Sequence, residues 1–167
     1  MAQYTVTYPL EQPMKSRLHR AKQLCYQYNQ TSPDSKRERK ALLKKLLPNA
    51  ESPIIEPNFY CDIGDNIHAG PGLFLNHNVT ILDGDKVMFG ERVLVGPNTV
   101  ITATTHPYDT VERATGKEWV TPITIGNDVF IGACVTILPG VTIGDEVIIA
   151  AGATVSRSIP SKTTFIK

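Results

Sequence analysis

The stretch PITIGNDVFIGACVTILPGVTIGDEVIIAAGATV, residues 122–155, carries an aliphatic residue at every sixth position. These positions are Ile125, Ile131, Ile137, Ile143, Ile149 and Val155. A strict period of six fits neither an α-helix, with about 3.6 residues per turn, nor a strand whose side chains simply alternate. It is typical of a chain that turns a corner every six residues, so that three hexads close one triangular turn of a parallel β-solenoid. We therefore predict an all-β solenoid whose periodic aliphatic side chains point inward.

The same period extends, less regularly, toward the N-terminus of this block. The corner residues are Ile63, Ala69, Leu75, Ile81 and, after a slip of two residues, Phe89, Val95 and Ile101. The slip falls at Asp83–Asp85, an Asp-Gly-Asp sequence that predicts a turn. Glycines follow four of these corners, and we expect them to allow tight backbone turns that a Cβ would hinder. These glycines are Gly64, Gly70, Gly90 and Gly96.

A larger break separates Ile101 from Ile125. The interval of 24 residues is a multiple of six, so the register is kept. Residues 107–122 are nevertheless too polar for solenoid coils, and we predict one extruded loop, with the coil resuming near Trp119–Ile123. Long loops on a regular scaffold are usually functional or disordered. This one begins beside His106 and contains the only tryptophan of the chain, which favours function.

The first fifty residues have a helical pattern instead. Two short helices joined by a turn are predicted, the second capped by Ser32, with Pro33 at its first position and Pro48 at its end. We expect residues 1–52 to form a helical N-terminal subdomain and residues 53–167 to form the solenoid. The basic run at residues 36–45 is interpreted as a solvated helix face, not as a surface for nucleic acid.

The composition limits the classes of protein to which the chain can belong. With 167 residues it has the size of one domain, and a formal net charge of +1 gives no global basic field for nucleic acid. The first residues, MAQYTVTYPLEQP, lack the features of a secretory signal, and no apolar run is long enough for a membrane span. The three cysteines form no CxxC pair, so we expect reduced thiols, no metal site and a cytoplasmic location.

His106 is the strongest candidate for catalysis. It ends the hexad that begins at Ile101, at the point where the extruded loop departs. A surface histidine at the rim of a groove can take up and release a proton near neutral pH. It is therefore suited to act as a general base that removes a proton from a hydroxyl group.

Four stretches together resemble the maltose, galactoside and nodulation-sugar O-acetyltransferases. They are RAKQLCYQYNQTSPD at 20–34, NHNVTILD at 76–83, TATTHPYDTVER at 102–113 and the hexad block with its continuation to RSIP at 122–160. The resemblance implies a left-handed parallel β-helix that assembles as a homotrimer, with active sites between neighbouring subunits. It also implies acetyl-CoA as co-substrate and a sugar or polyol as acceptor. The low net charge and the lack of a long apolar run predict neither nucleic acid nor membrane as a partner.

Site residues follow from matching this family position by position. The match to its base is His106, which would deprotonate a sugar hydroxyl for direct attack on acetyl-CoA in a ternary complex. The acceptor site is matched by Asp62 and Asn76, and the breaks in the period add Asp83 and Trp119 to the acceptor side. The CoA groove is matched by Ala133, Ala151, Ser156 and Arg157.

Three other functions stay open. A γ-type carbonic anhydrase on the same fold needs three zinc histidines with an H-x4-H pair, a spacing that His68, His77 and His106 lack. A xenobiotic or serine acetyltransferase also uses a histidine base on similar coils, although serine enzymes carry a large helical N-terminal domain. A solenoid with a purely structural role is the third alternative, because the final SKTTFIK departs from the family pattern. Gln3–Pro13 departs from it as well, which leaves the identity of the acceptor open.

Overall fold

The computed structural model describes residues 4–7 and 10–166, and its larger part winds into a parallel β-solenoid. Each hexad has room for one strand of two or three residues before the chain turns. Equivalent strands of successive coils pair in parallel, so each face of the solenoid is one sheet. The predicted fold class is confirmed, while the left-handed sense rests on the resemblance alone.

The solenoid has three faces. The first contains β2 (Asn49–Ala50), β5 (Ile67–Ala69), β8 (Val87–Phe89), β13 (Ile123–Ile125) and β16 (Thr142–Ile143). The second contains β3 (Ile54–Ile55), β6 (Phe74–Leu75), β9 (Leu94–Val95), β14 (Phe130–Ile131), β17 (Ile148–Ile149) and β19 (Thr164–Phe165). The third contains β4 (Tyr60–Cys61), β7 (Thr80–Leu82), β10 (Val100–Thr102), β15 (Thr136–Ile137) and β18 (Thr154–Val155).

Three sets of turns join these faces. Corner A leads from the first face to the second, at residues 51–53, 70–73, 90–93, 126–129 and 144–147. Corner B leads from the second face to the third, at residues 56–59, 76–79, 96–99, 132–135 and 150–153. Corner C leads from the third face to the next coil, at residues 62–66, 83–86, 103–122, 138–141 and 156–158.

The periodic aliphatic side chains form the core, as predicted. The six residues that define the period are each at most 1% exposed. Ile125 pairs with Ile143, and Ile131 with Ile149, so like side chains stack from one coil to the next. Since full burial of one such side chain contributes about 1.5–3 kcal/mol, this stack is a main source of stability.

The first coils are longer than three hexads. Ile81 pairs with Cys61 of the coil before it, a step of 20 residues, whereas Ile125 and Ile143 are 18 residues apart. The two extra residues lie in corner C of both coils, so the slip expected at 83–85 also occurs one coil earlier. The interpretation of Ile63 as a corner residue is therefore wrong, because Cys61 takes that register position and Ile63 is buried in the turn.

The glycines that follow the periodic aliphatic residues serve the contact between coils. Gly132 does not have a positive φ; the residue of its turn with a positive φ is Cys134, at 58°. A Cβ on Gly132 would lie 2.6 Å from the backbone nitrogen of Ala151 in the next coil. Of the four glycines expected to permit tight turns, only Gly64 has a positive φ, of 83°, so the expectation is wrong for Gly70, Gly90 and Gly96, where an added Cβ would instead meet backbone of the next coil.

Two helices, α1 (Gln12–Gln30) and α2 (Lys36–Leu46), cover the N-terminal end of the solenoid. The buried side of α1 meets the first coil, where the sulfurs of Cys25 and Cys61 are 3.9 Å apart. Helix α2 begins at Lys36 and not at Pro33, because the Ser32 hydroxyl instead accepts a hydrogen bond from the Asp34 amide in a tight turn. The division at residue 52 stays a prediction; strand β2 already lies just before it.

The segment at corner C of the third coil has its own secondary structure. It comprises β11 (Thr104–Thr105), α3 (Thr110–Ala114) and β12 (Lys117–Val120), and β12 pairs antiparallel with both β11 and β1 (Tyr4–Thr7). The coil resumes at Ile123, at the C-terminal end of the range Trp119–Ile123 expected for it, and Trp119 itself lies in β12. We refer to residues 104–120 as the extruded hairpin. Among the described helices, none has the length and apolar character needed to cross a membrane.

Candidate active site

His106 directly follows β11 and is exposed to solvent. Its ring nitrogen Nδ1 lies 3.4 Å from the carbonyl oxygen of Lys117, at the start of β12. A carbonyl oxygen can only accept a hydrogen bond, so Nδ1 must carry the proton in this contact. When the ring is neutral, the other ring nitrogen, Nε2, is then unprotonated, which is the state that a general base requires.

Asp83 lies on the same edge of the molecule, in corner C of the second coil. Its side chain is fully buried, and its carboxylate accepts hydrogen bonds from the amides of Asp62, Ile63 and Gly64 at 3.0, 2.9 and 2.7 Å. Burial raises the pKa of Asp83 to about 6, although the amide hydrogen bonds lower it. The carboxylate therefore holds two successive turns of corner C together.

Asp62 lies in corner C of the first coil and is partly exposed. Partial burial raises the pKa of its carboxyl group, and the negative charge of Glu118 raises it further, while Lys22 lowers it. Glu118 belongs to β12, next to the residue whose carbonyl meets His106. Asp62 is thus close enough to the extruded hairpin to respond to its charge.

An aromatic pair flanks His106. The rings of Tyr108 and Trp119 meet edge to face, with centroids 6.2 Å apart, and Tyr108 is 85% exposed. Trp119 was expected on the acceptor side, but sequence reasoning missed Tyr108. The sequence could have indicated Tyr108, because it is an aromatic residue two positions after the candidate base, in a polar segment where a large exposed ring is unexpected.

Asn76 lies elsewhere, in corner B of the second coil. It is partly exposed, and its side-chain oxygen accepts a hydrogen bond from the His77 amide at 2.7 Å. Ala133 and Ala151 lie on the same corner in the fourth and fifth coils, where Ala151 is exposed and Ala133 is partly exposed. Corner B therefore presents, along one edge, one residue predicted for the acceptor site and two residues predicted for the CoA groove.

Ser156 and Arg157, the other two residues predicted for the CoA groove, are exposed in corner C of the fifth coil. The third face separates corner B from corner C, so a single chain places Asn76 and His106 at opposite ends of that face. The predicted site residues thus form two lines along the molecule. Within the described residues, no group of three His, Cys, Asp or Glu side chains is arranged to hold a metal ion.

The solenoid and the N-terminal helices of the chain match two different family models. Residues 122–157 match the family model described as bacterial transferase hexapeptide (six repeats). Residues 11–50 match the model described as maltose acetyltransferase hexapeptide capping motif. The galactoside O-acetyltransferase of Escherichia coli is 41% identical over 142 residues, which cover 84% of this chain and 70% of that protein. The chain belongs to the maltose and galactoside O-acetyltransferase family.

Other members of the family agree with this assignment. A putative acetyltransferase of Saccharomyces cerevisiae is 44% identical over 81% of this chain and 69% of its own length. The solved maltose O-acetyltransferase of Clostridium difficile is 35% identical with a TM-score of 0.89, over 92% of this chain and 83% of that one. A galactoside acetyltransferase solved in complex with coenzyme A is 36% identical with a TM-score of 0.89, and the match covers 96% of this chain and 80% of that one. The predicted family and its acetyltransferase class are confirmed.

Proposed function

We propose that this acetyltransferase moves an acetyl group from acetyl-CoA to a hydroxyl group of a sugar or polyol, with His106 as general base. The observation that carries the proposal is the contact between Nδ1 of His106 and the Lys117 carbonyl, which in the neutral ring leaves Nε2 free to accept a proton. The family assignment supplies the donor and acceptor classes, because relatives are named as galactoside and maltose O-acetyltransferases and one is solved with coenzyme A.

The reaction needs one proton to move twice. Nε2 of His106 takes the proton of the acceptor hydroxyl while the hydroxyl oxygen bonds to the acetyl carbonyl carbon. The carbon–sulfur bond then breaks, and the CoA sulfur leaves and takes the proton back from His106. The acetyl group passes directly to the acceptor, so no nucleophilic side chain is required. A positioned base of this kind typically contributes about 10²–10⁴ in rate.

The acceptor is bound by groups of two kinds. Asp62 and Asn76 offer polar atoms at partly exposed positions, which suits a ligand with several hydroxyl groups. The exposed Tyr108 ring, supported by Trp119, offers a flat apolar surface for the carbon–hydrogen face of a sugar ring. We assign Asp83 a supporting role, because its buried carboxylate is already bonded to three amides.

We infer that the complete site forms between two copies of the chain in a homotrimer. Asn76 and His106 lie at opposite ends of the third face, so corner B of one copy would have to meet corner C of another. The second face, which ends at corner B, exposes an apolar row that fits such a contact. Its members are Ile54, Leu94, Phe130 and Ile148, between 47% and 63% exposed.

The donor would lie along the same junction. Ala133 and Ala151 of corner B have small side chains, which leave room for the narrow pantetheine arm of acetyl-CoA close to the backbone. Ser156 and Arg157 are exposed on corner C, where the guanidinium can pair with a phosphate group. The three free cysteines of the described chain fit a reducing, cytoplasmic location.

A complementation experiment tests the shared site. His106→Ala and Asn76→Ala variants should each be nearly inactive in a thiol-release assay with acetyl-CoA and a panel of glucose, maltose, galactosides, chitooligosaccharides and serine. When the two are mixed and allowed to exchange subunits, some interfaces carry both wild-type residues and activity should return. Mixed assemblies that form but stay inactive would show that the two residues do not share a site. Transfer to serine alone would favour the serine-type alternative.

A further inference from the structure

Arg113 bonds to the segment that directly follows His106. Its guanidinium nitrogen Nη1 donates to the carbonyl oxygens of Pro107 and Tyr108, at 3.1 and 3.2 Å. The two acceptors are consecutive, so one nitrogen with two hydrogens fixes the direction of two peptide groups at once. The backbone on the C-terminal side of His106 is thereby held in one conformation.

Arg113 also belongs to the return path of the extruded hairpin. Its backbone carbonyl accepts a hydrogen bond from Gly116 at 3.1 Å, in the turn that leads into β12. Lys117, the first residue of β12, supplies the carbonyl that meets His106. Arg113 is therefore bonded on both sides of the contact between His106 and Lys117. Its side chain bonds to Pro107 and Tyr108, which follow His106, and its backbone bonds to Gly116, which precedes Lys117.

Residues 108–115 of the hairpin have no buried side chain. Helix α3 has five residues, no buried side chains, and an Asp109 cap that accepts from the Glu112 amide. Tyr108 is almost fully exposed, and Arg113 is itself at the surface. Pro107 is buried, and β12 pairs with β11 and β1, so the backbone on either side of this stretch is fixed. Within residues 108–115 hydrogen bonds, and not side-chain burial, hold the conformation of the chain next to His106.

We propose that Arg113 is a positioning residue for His106. It fixes the Pro107–Tyr108 peptide groups so that Nδ1 of His106 stays on the Lys117 carbonyl and Nε2 stays free as the base. The inference rests on the proposed role of His106, and it assigns Arg113 no contact with substrate. A misplacement of a catalytic group by about 1 Å can cost about 10²-fold in rate, so a loose hairpin would lower turnover without unfolding the protein.

The test compares Arg113→Ala with Arg113→Lys and with Arg37→Ala, an exposed arginine of α2 far from the site. Steady-state kinetics should show kcat lowered about 10–100-fold in Arg113→Ala, with KM for acetyl-CoA and the melting temperature unchanged. Arg113→Lys should retain part of the activity, because an ammonium group can donate to both carbonyls. Added guanidinium ion should restore part of kcat in Arg113→Ala, and Arg37→Ala should behave as the parent protein.

A readout without substrate separates positioning from a general structural effect. Nitrogen-15 NMR of the imidazole groups, with His106→Gln to identify the resonances, should show the Nδ1–H tautomer in the parent protein. In Arg113→Ala a mixture with the Nε2–H tautomer should appear. If Arg113→Ala keeps both the tautomer and the kcat of the parent protein, the proposal is overturned. A rise in KM of Arg113→Ala with unchanged kcat would also overturn it, because that result indicates that Arg113 contacts substrate.

The controls keep the two proposals distinct. If His106→Ala is inactive while Arg113→Ala is fully active, only the positioning role fails. If His106→Ala is fully active, the proposed base fails, and the tautomer measurement still decides whether Arg113 orients the ring.

Discussion

His106 and Lys117 are eleven residues apart in the chain, yet Nδ1 of the imidazole lies 3.4 Å from the Lys117 carbonyl oxygen. The partner of the ring is thus a backbone atom and not an acidic side chain. Its position is set by β12, which pairs with β11 on one side and with β1 on the other. The protonation pattern of the proposed base therefore depends on how this small sheet is built.

Replacement of His106 by alanine tests the base directly. We expect kcat for acetyl transfer to fall at least about a hundredfold, since no other group offers a free imidazole nitrogen at this position. Acetyl-CoA binding, measured by calorimetry, and the melting temperature should be nearly unchanged because the ring is exposed. His19→Ala, which removes an exposed histidine of α1, is the matched control. Unchanged turnover in His106→Ala would remove the residue from the mechanism.

Asp83 should make stability depend on pH. Its native pKa of about 6 lies above the ordinary value of 3.8, so the native state holds the proton more tightly than the unfolded state. The contribution of this group to the free energy of unfolding should therefore fall as the pH rises from about 4 to about 6, by about 3 kcal/mol at most. Urea unfolding across this pH range measures the contribution as the difference between the free energies of unfolding of the parent protein and of Asp83→Asn. A difference that grows with pH would mean that the three amide bonds outweigh burial.

Gly132 should tolerate no side chain. Gly132→Ala places a Cβ 2.6 Å from a backbone nitrogen of the next coil, where no flexible side chain can yield, so we expect a loss of about 3 kcal/mol or more. Gly152→Ala is the control: φ is 77° there and no atom lies within 4 Å of the added Cβ, so only about 1–2 kcal/mol of backbone strain is expected. Thermal and urea unfolding should rank the two variants in this order. Equal losses would contradict the close approach of the coils.

Tyr108 should contribute to acceptor binding. Tyr108→Ala removes the exposed ring that meets Trp119, and we expect KM for the sugar to rise about three- to tenfold with a smaller change in kcat. Val111→Ala removes an apolar side chain of α3 that is 75% exposed, and it should leave KM unchanged. If both variants lower the stability of the proposed trimer in sedimentation experiments, the two side chains contact a neighbouring copy instead of the acceptor.

The sequence predicts the solenoid well because its period is a local property repeated many times. The buried ladder from Ile125 to Val155 lies where the hexads place it. The period fails at Ile63, because a buried residue inside a longer turn looks the same in the sequence as one inside a strand. It also carries no information on the pairing of β1 with β12, which joins residues more than a hundred positions apart.

The site was predictable only in part for the same reason. His106 stands out because the period stops beside it, and Trp119 because it is the only tryptophan. The roles of Asp83 and Arg113 depend on hydrogen bonds to backbone groups, and such bonds leave no distinctive pattern in the sequence. Tyr108 gains significance only when the hairpin brings it to Trp119.

The three corners differ in how much change in length they accept. From the second coil to the fifth, consecutive core positions across corners A and B stay six residues apart. At both corners glycines lie so close to the backbone of the next coil that a Cβ would not fit. Corner C alone contains two-residue additions and the extruded hairpin. Insertions and deletions can therefore accumulate on one edge without disturbing the stacked core, and that edge carries His106. A scaffold of this kind can acquire new acceptors through changes in loop length while its coils stay constant.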